Sequence, residues 1–177
     1  MIYTSKYNSP LGIITLACDD EAITGLWFED SRHFGNTLPD ETEAKQHPLL
    51  DEAGRWLDIY FSGQEPDFLP PLRYGSTKFR KTVDDIMLTI PYGKTMTYGE
   101  IAARVARDWG LEKMSAQAVG GAVGSNPISI MIPCHRVVGT NGSLTGYGGR
   151  MWRKVKLLEL EKVDMSNLYV PKKGTAL

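Results

Sequence analysis

A cysteine and a histidine stand side by side in ISIMIPCHRVVG, residues 128–139, directly after a proline and between two apolar runs. A cysteine is a nucleophile only as its thiolate, so a reactive Cys134 needs a group that lowers its pKa or takes its proton. Neighbouring side chains of an extended segment point to opposite sides, so we expect a bridging water at least as readily as direct contact with His135. Glu161, on the last predicted helix, could orient the imidazole as a third member of the relay.

The alternative interpretation is a small buried thiol, a surface histidine and a solvated helix charge. The context favours reactivity, because the segment follows a predicted pair of helices and precedes a glycine-rich loop. Reactive residues concentrate on loops that a rigid scaffold holds in place.

The remaining cysteine and histidines form no recognisable site. The chain has two cysteines, Cys18 and Cys134, and three histidines, of which His33 and His47 lie far from His135 in the sequence. No CxxC pair is present, so the sequence predicts no disulfide framework, no metal site and no cofactor. Cys18 and His33 could approach each other in space, but a buried thiol and two surface imidazoles are the simpler interpretation.

The size and composition of the chain are those of an ordinary folded protein. It has 177 residues, of which 42% are hydrophobic and 23% are charged, enough for one large domain or two small ones. The longest apolar runs fall short of the roughly 20 residues of a membrane-spanning helix, and the N-terminus lacks the pattern of a signal peptide. We therefore expect a cytoplasmic protein with no membrane partner.

Charge is distributed unevenly along the chain. Residues 1–75 contain 5 Lys and Arg against 13 Asp and Glu, a net charge of −8, whereas residues 76–163 contain 13 against 7, a net charge of +6. Such asymmetry points to an anionic partner for the basic half, most commonly nucleic acid, although a charged half is more often only a solvated surface.

The first half of the chain predicts a sheet and a helix. Residues 11–28 contain two β-rich runs around an acidic turn, which predicts a hairpin, whereas residues 31–46 are polar and irregular. Apolar residues then recur at helical spacing over 48–61. A segment rich in Pro and Gly over 66–75 predicts a linker.

The second half is predicted to be helical. Periodic apolar residues and flanking breakers predict helices over four segments: 77–90, 97–110, 116–124 and 151–163. Thr97 and Glu100 have capping-box spacing, and Ser115 is a plausible N-cap for the small-residue helix AQAVGGAVG. A helix, a short turn and a small-residue helix in that order suggest a helix-turn-helix.

PCHRV, preceded by AVGGAVGSNPISIMI and followed by VVGTNGSLTGYGG, closely resembles the O6-alkylguanine-DNA alkyltransferase family, also called methylated-DNA–protein-cysteine methyltransferases. The resemblance covers residues 77–163 well and the N-terminal part only in outline. It implies an α+β fold in three parts: a small antiparallel sheet-plus-helix, RNase H-like domain over 1–75, a mostly helical, winged helix-turn-helix-like domain over 76–164, and a tail over 165–177. It also implies a monomer that acts on double-stranded DNA.

The resemblance assigns Cys134 as the acceptor of the alkyl group of O6-alkylguanine, with O4-alkylthymine as a second candidate substrate. The thioether formed has no easy route back to the thiol, so each molecule should act once. His135 would take the Cys134 proton through a water, and Glu161 would fix the histidine tautomer. Tyr98 would donate to the departing guanine, and Asn126 would tie the helix-turn-helix to the active-site segment.

The target base must rotate out of the duplex to reach the cysteine. Tyr147 would cover the base pocket, and the backbone of Val137 and Gly148 would contact the edge of guanine. The family docks its second helix in the minor groove, which assigns DNA contacts to five residues: Gln117, Ala118, Gly120, Gly121 and Arg136. The small residues of this helix would let it lie close to the groove floor, the alternative being tight helix packing: Ala118, Gly120, Gly121, Ala122 and Gly124.

Three positions depart from the family pattern. Gln117 stands where many members have an arginine that fills the space left by the flipped base, so flipping is expected to lack that positive charge. Gly148 replaces a small or hydroxylated residue, which leaves only a backbone N–H for the O6 leaving atom. Arg150 replaces a second small residue and adds charge near the pocket or a phosphate, or is simply exposed.

Two other functions are compatible with parts of the sequence. Alkyltransferase-like proteins share this fold, lack the cysteine, bind lesions and recruit other repair factors, and the presence of Cys134 argues against such a sensor. A DNA-binding regulator with an inert thiol is the third hypothesis. The predicted second helix is poor in base-reading side chains, which argues against sequence-specific readout.

Overall fold

The computed structural model describes residues 1–171. Its N-terminal part is built on a four-stranded sheet of order β3-β2-β1-β4. The strands are β1 (Tyr3–Ser9), β2 (Gly12–Cys18), β3 (Ile23–Phe28) and β4 (Glu43–Ala44). The first three strands pair antiparallel, and the two-residue β4 pairs in parallel with β1. The predicted hairpin is therefore confirmed as β2 and β3, while β1 and β4 were not predicted.

Helix α1 (Pro48–Phe61) supplies the other half of the N-terminal core. Its buried residues recur every three or four positions and so share one face: Leu50, Ala53, Trp56, Leu57 and Tyr60. The Nδ1 atom of His47 accepts the backbone N–H of Leu49 at 3.1 Å, so this histidine caps the helix rather than standing free on the surface. Cys18 is fully buried in β2, and burial, with Asp19 and Asp20 nearby, raises its pKa to about 11.

The outer edge of β3 joins the two halves of the chain. Ile23 exchanges backbone hydrogen bonds with the segment around Leu72, and Leu26 does so with the segment around Ile128. The Pro- and Gly-rich segment predicted as a linker therefore lies against the sheet instead of crossing solvent. The same edge fixes the chain just upstream of Cys134.

Four helices and a two-stranded sheet form the C-terminal part: α2 (Lys78–Met87), β5 (Met96–Thr97), α3 (Tyr98–Asp108), α4 (Ala116–Gly124), β6 (Val137–Val138) and α5 (Met151–Leu160). The hydroxyls of Thr97 and Ser115 cap α3 and α4 as predicted, so the helix-turn-helix is present. Strands β5 and β6 pair in parallel. This pairing brings the start of α3 beside the chain that follows Cys134.

The helix ends differ from prediction by up to three residues. Helix α5 ends at Leu160 rather than at residue 163, so Glu161 follows the helix as its C-cap instead of lying within it. Part of the predicted tail is ordered against the glycine-rich loop, because Tyr169 exchanges backbone hydrogen bonds with Gly142 and Leu144. The rest of that tail, 172–177, lies outside the described residues.

Residues 1–171 contain neither a membrane-spanning helix nor a cluster of metal ligands. No helix in this range is long and apolar enough to cross a membrane. No three His, Cys, Asp or Glu side chains in this range are grouped closely enough to hold a metal ion.

Candidate active site

Cys134 begins a 3₁₀ turn, Cys134–Arg136, that follows Pro133. The extended geometry expected from the sequence is therefore wrong, because the backbone N–H of Arg136 returns to the carbonyl of Pro133 at 3.0 Å. The thiol side chain is 5% exposed and lines a cavity of only about 10 Å³. A space of that size holds one water and no base, so the pocket must open before guanine enters.

The surroundings of Cys134 act on its pKa in opposite directions. Complete burial raises the pKa of the thiol, whereas the neighbouring amide of Asn126 and the charge of Lys154 lower it. The carboxylate of Asp84 adds to the raising effect. The thiol therefore carries its proton at neutral pH, and forming the thiolate requires a base.

His135 is fully buried and has one ring nitrogen engaged. Its Nε2–H donates to Glu161 Oε2 at 2.5 Å, while Nδ1 has no hydrogen-bond partner within residues 1–171. We assign the tautomer from this network. Burial lowers the pKa of His135 although Glu161 opposes that shift. The imidazole is therefore neutral near pH 7, with Nδ1 available to accept a proton.

Glu161 is bound by four groups from distant parts of the chain. Besides His135, its carboxylate accepts from the Tyr60 hydroxyl at 2.7 Å, the Gly93 backbone N–H at 3.0 Å and Arg136 Nε at 2.8 Å. Burial opposes ionisation, but the donors from His135 and Arg136 outweigh it and hold the pKa of Glu161 far below its usual range. A carboxylate with so many donors fixes the imidazole rigidly.

Arg136 was expected to contact DNA. In the structure its guanidinium donates to both oxygens of Glu161 and to the carbonyl of Ile90 at 2.7 Å. Only 11% of the side chain is exposed. A guanidinium with three internal acceptors is held in place, so Arg136 supports the relay, and its contact with DNA stays a prediction.

Asn126 joins two segments as its residue type suggested. Its Nδ2 donates to the carbonyl of Ile132 at 2.8 Å, and its Oδ1 accepts the N–H of Ile128 at 3.0 Å. Asn126 directly follows the C-cap of α4, and Ile132 lies two residues before Cys134. The amide therefore couples the end of the helix-turn-helix to the reactive turn.

Tyr98 and Tyr147 flank the same site. The Tyr98 hydroxyl donates to the carbonyl of Thr145 at 2.6 Å, and burial raises the pKa of Tyr98, which keeps the phenol protonated. Tyr147 is 4% exposed, and its hydroxyl has no partner in the described part of the chain. A Cβ placed on Gly149 would lie 2.5 Å from the Tyr147 ring, so only glycine lets this ring fold down over the pocket.

The carbonyls of Val137 and Gly148, the two residues whose backbone was assigned to guanine, already have protein partners. The carbonyl of Val137 accepts from Lys154 Nζ at 2.5 Å, and the carbonyl of Gly148 accepts the N–H of Arg32 at 2.9 Å. A carbonyl has two lone pairs, so each retains room for a second donor.

Lys154 is a site residue that the sequence did not reveal. Its ammonium group is buried and binds the carbonyls of Val137 and Thr145. Burial lowers the pKa of Lys154 to about 7. The available signal was its spacing, because Lys154 shares the helical face of Met151 and Leu158, which are buried.

The face of α4 next to the site is open. Gln117, Ala118 and Gly121 are exposed, and a Cβ on Gly121 would meet nothing within 4 Å. Internal packing therefore does not require glycine at position 121, whereas a Cβ on Gly124 would touch the carbonyl oxygen of Gly146 at 3.4 Å. A cleft of about 500 Å³ runs from this face, which includes Gly120, to the glycine-rich loop.

Arg150 is turned toward the N-terminal part. Its Nε donates to the carbonyl of Asp30 at 3.1 Å, and its backbone has a φ of 83°, where glycine is the favoured residue. The side chain is exposed but held by this contact.

Family models match both halves of the chain. The model described as the DNA binding domain of 6-O-methylguanine DNA methyltransferase matches residues 78–163, and the ribonuclease-like domain of the same protein matches residues 2–74. The chain belongs to this methyltransferase family. The expected α+β fold, with its ribonuclease-like first part, is thereby confirmed.

Known members of the 6-O-methylguanine DNA methyltransferase family resemble the chain over most of its length. The methylated-DNA–protein-cysteine methyltransferase of Mycobacterium leprae (strain TN) is 40% identical over 165 residues, 92% of this chain and 93% of that protein. That of Haemophilus influenzae is 37% identical over 163 residues, 92% of this chain and 87% of that protein. The crystal structure of Mycobacterium tuberculosis OGT in complex with DNA has a TM-score of 0.78 at 39% identity, covering 90% of this chain and 92% of that one.

Proposed function

We propose that the site moves an alkyl group from O6 of guanine in double-stranded DNA onto Cys134, once per molecule. The protein is a DNA-repair methyltransferase of the family named above, and this proposal assigns the chemistry to its residues. The observation that carries it is the fully buried His135, fixed by Glu161 through Nε2 and free at Nδ1. This histidine directly follows Cys134, which lines a cavity.

The reaction begins with the thiol. His135 Nδ1 takes the Cys134 proton through a water, and Glu161 stabilises the imidazolium that forms. The sulfur then attacks the alkyl carbon in line, so that an S–C bond forms while the C–O6 bond breaks and its electron pair stays on guanine. The product is a thioether, which neither His135 nor water can reverse.

Tyr98 donates a hydrogen bond to the leaving group. Its phenol lies on the cleft that leads to the pocket and remains protonated because burial raises its pKa. As negative charge develops on guanine, the hydroxyl turns from the Thr145 carbonyl to donate to the base. Asn126 acts through the backbone and so positions Cys134 without touching the substrate.

The open face of α4 provides the DNA contact. Gly121 and its small neighbours allow the helix to approach the floor of the minor groove, and Gln117 at its exposed N-terminal end enters the space left by the flipped base. Tyr147 swings off Gly149 to admit the base and then covers it.

Three further assignments belong to this proposal. A reactive free thiol needs a reducing compartment, which supports action in the cytoplasm. The repair reaction needs one acceptor and one DNA contact, which supports a monomer. We divide the chain functionally at residues 75 and 76, with the second part carrying the acceptor.

The test is the mass of the intact protein after incubation with a duplex that carries O6-methylguanine, followed by peptide mapping. We expect a gain of one methyl group on Cys134 that stops at one per molecule. The gain should be absent in Cys134→Ser and present in Cys18→Ser, the matched change at the other buried cysteine. Binding that prefers the lesion without any mass gain would instead identify a lesion sensor with an idle thiol.

A further inference from the structure

A loop of the N-terminal part reaches the wall of the active site. This bridging loop, residues 29–38, is fastened to the C-terminal part at several points, two of which flank His33. The backbone N–H of Arg32 donates to the carbonyl of Gly148 at 2.9 Å, and Asn36 Nδ2 donates to the carbonyl of Ser125 at 3.0 Å. The bridging loop therefore keeps a fixed position against the pocket.

His33 stands at the passage between the cleft and Cys134. The cleft of about 500 Å³ beside α4 and the cavity of about 10 Å³ at Cys134 share four lining residues: His33, Gly124, Tyr147 and Gly148. A base that leaves the duplex and moves toward the sulfur has to cross this set. Among the four, only His33 and Tyr147 have polar side-chain atoms.

The imidazole of His33 lies against residue 148. A Cβ on Gly148 would lie 3.0 Å from the carbonyl oxygen of Gly124 and 3.4 Å from His33 Cδ2, the ring carbon bonded to Nε2. Neither ring nitrogen takes part in the hydrogen bonds that fasten the bridging loop. His33 thus presents a free donor edge where Gly148 has no hydroxyl to offer.

We propose that His33 contacts the flipped guanine and donates a hydrogen bond to its O6 side during alkyl transfer, in place of the hydroxyl that Gly148 lacks. This inference rests on the transfer to Cys134 proposed above. The bonds that form and break are unchanged: S–C forms, C–O6 breaks, and the electron pair remains on guanine. The His33 N–H stabilises that developing charge without giving up its proton. The N-terminal part thereby contributes directly to the reaction.

Single-turnover kinetics on duplex O6-methylguanine test the role of His33. We expect His33→Ala to slow the transfer step about tenfold, the size of one lost hydrogen bond to developing charge, while duplex affinity stays within about twofold. His33→Gln keeps an N–H donor of similar reach and should recover most of the rate. Phe34→Ala removes the contact of the same loop with Trp27 but keeps the imidazole. Its transfer rate should fall less than that of His33→Ala.

Two readouts separate a hydrogen bond from a structural effect. The decrease in transfer rate caused by His33→Ala should be smaller when the leaving guanine carries an electron-withdrawing group at C8. A more stable guanine anion depends less on a hydrogen bond from the protein. Alkylation of Cys134 by iodoacetamide, which has no guanine, should be unchanged. Equal rates in His33→Ala and wild type, or one uniform loss with every leaving group and with iodoacetamide, would overturn the inference. A wild-type protein that transfers nothing would instead overturn the proposed function itself.

Discussion

His135 and Glu161 form a hydrogen bond of 2.5 Å between two side chains that are both completely removed from solvent. Glu161 also accepts hydrogen bonds from Tyr60, Gly93 and Arg136. The imidazole is therefore held by a carboxylate that three other groups fix in place. Because Nε2 is committed to this bond, Nδ1 is the nitrogen left to serve Cys134. The orientation of the imidazole therefore depends on every group that holds Glu161 in place.

Glu161→Gln should impair both chemistry and stability. It removes the anion that stabilises the imidazolium and leaves the Arg136 guanidinium without its countercharge. We expect the transfer rate to fall about 100-fold and the free energy of unfolding to fall by roughly 3 kcal/mol. Single-turnover methyl transfer and urea unfolding measure the two effects. Tyr60→Phe, which removes one donor to the same carboxylate, is the matched control and should cost only about 1 kcal/mol.

The pH profile should follow the neutral form of His135. Burial lowers the pKa of this histidine from its ordinary value of 6.5, so the base becomes protonated only below that pH. We expect a transfer rate that is level from pH 8 down to 6.5 and falls at lower pH. Measured at the same pH values, a Glu161→Gln protein should begin its fall at a still lower pH. A rate that already halves between pH 8 and 7 would contradict a neutral base at Nδ1.

Lys154→Met should make Cys134 less reactive. The methionine fills similar space but removes the positive charge that lowers the pKa of the thiol and a donor to the carbonyls of Val137 and Thr145. We expect iodoacetamide to alkylate Cys134 about tenfold more slowly at pH 7, with the midpoint of its pH dependence moved upward. Lys156→Met changes an exposed lysine of the same helix. It should leave the alkylation rate and the midpoint of its pH dependence unchanged.

Gln117→Arg should improve repair of duplex DNA. The residue is exposed on the open face of α4, so an arginine there can reach the stack without displacing a protein contact. We expect transfer from a duplex to quicken roughly three- to tenfold, the gain of one charge-assisted contact, while transfer from free O6-benzylguanine stays the same. Gln117→Met controls for volume. Faster transfer from the free base as well would place the effect at the pocket instead of at base flipping.

Local signals predicted much of this protein, and contacts between distant residues account for what was missed. The hairpin of β2 and β3 and the helices follow from periodicity and from caps such as Thr97 and Ser115, all within a few residues. Cys134 and His135 are contiguous, so their chemistry could be read directly. The hydrogen bond from Tyr60 to Glu161, by contrast, joins residues 101 positions apart, and no local pattern reports it.

Two side chains show what the sequence leaves open, because it does not state burial. Lys154 lies in a run of basic residues and carried no prediction, yet its ammonium group is buried against the carbonyls of Val137 and Thr145. Arg136 follows the reactive pair in a basic segment and so resembled a phosphate contact, whereas the fold places Glu161 within hydrogen-bond distance. In each case the sequence gives the charge of the residue but not its hydrogen-bond partner.

Asp84→Asn should stabilise the protein above neutral pH. Asp84 is 2% exposed and lines a cavity of about 320 Å³. Burial raises the pKa of its carboxyl group from 3.8 to about 7. The charge of Asp85 adds to this shift, and the charges of Arg80 and Lys81 oppose it. Between these values the folded protein holds a proton that the unfolded chain has released, so stability falls as pH rises from about 4 to 7 and stays reduced above. Asparagine does not ionise, so the variant keeps its stability as the pH rises through this range.

Urea unfolding of Asp84→Asn and wild type at pH 5 and pH 8 measures the effect. The advantage of the variant should grow by roughly 2 kcal/mol between the two pH values, since each unit of pKa shift is worth about 1.4 kcal/mol. Asp40→Asn, at an exposed loop position, should show no such growth. The Asp84 charge also raises the pKa of the Cys134 thiol, so the variant should alkylate faster at pH 8. A variant that is less stable than wild type at pH 8 would mean that Asp84 is ionised and favourably paired in the folded protein.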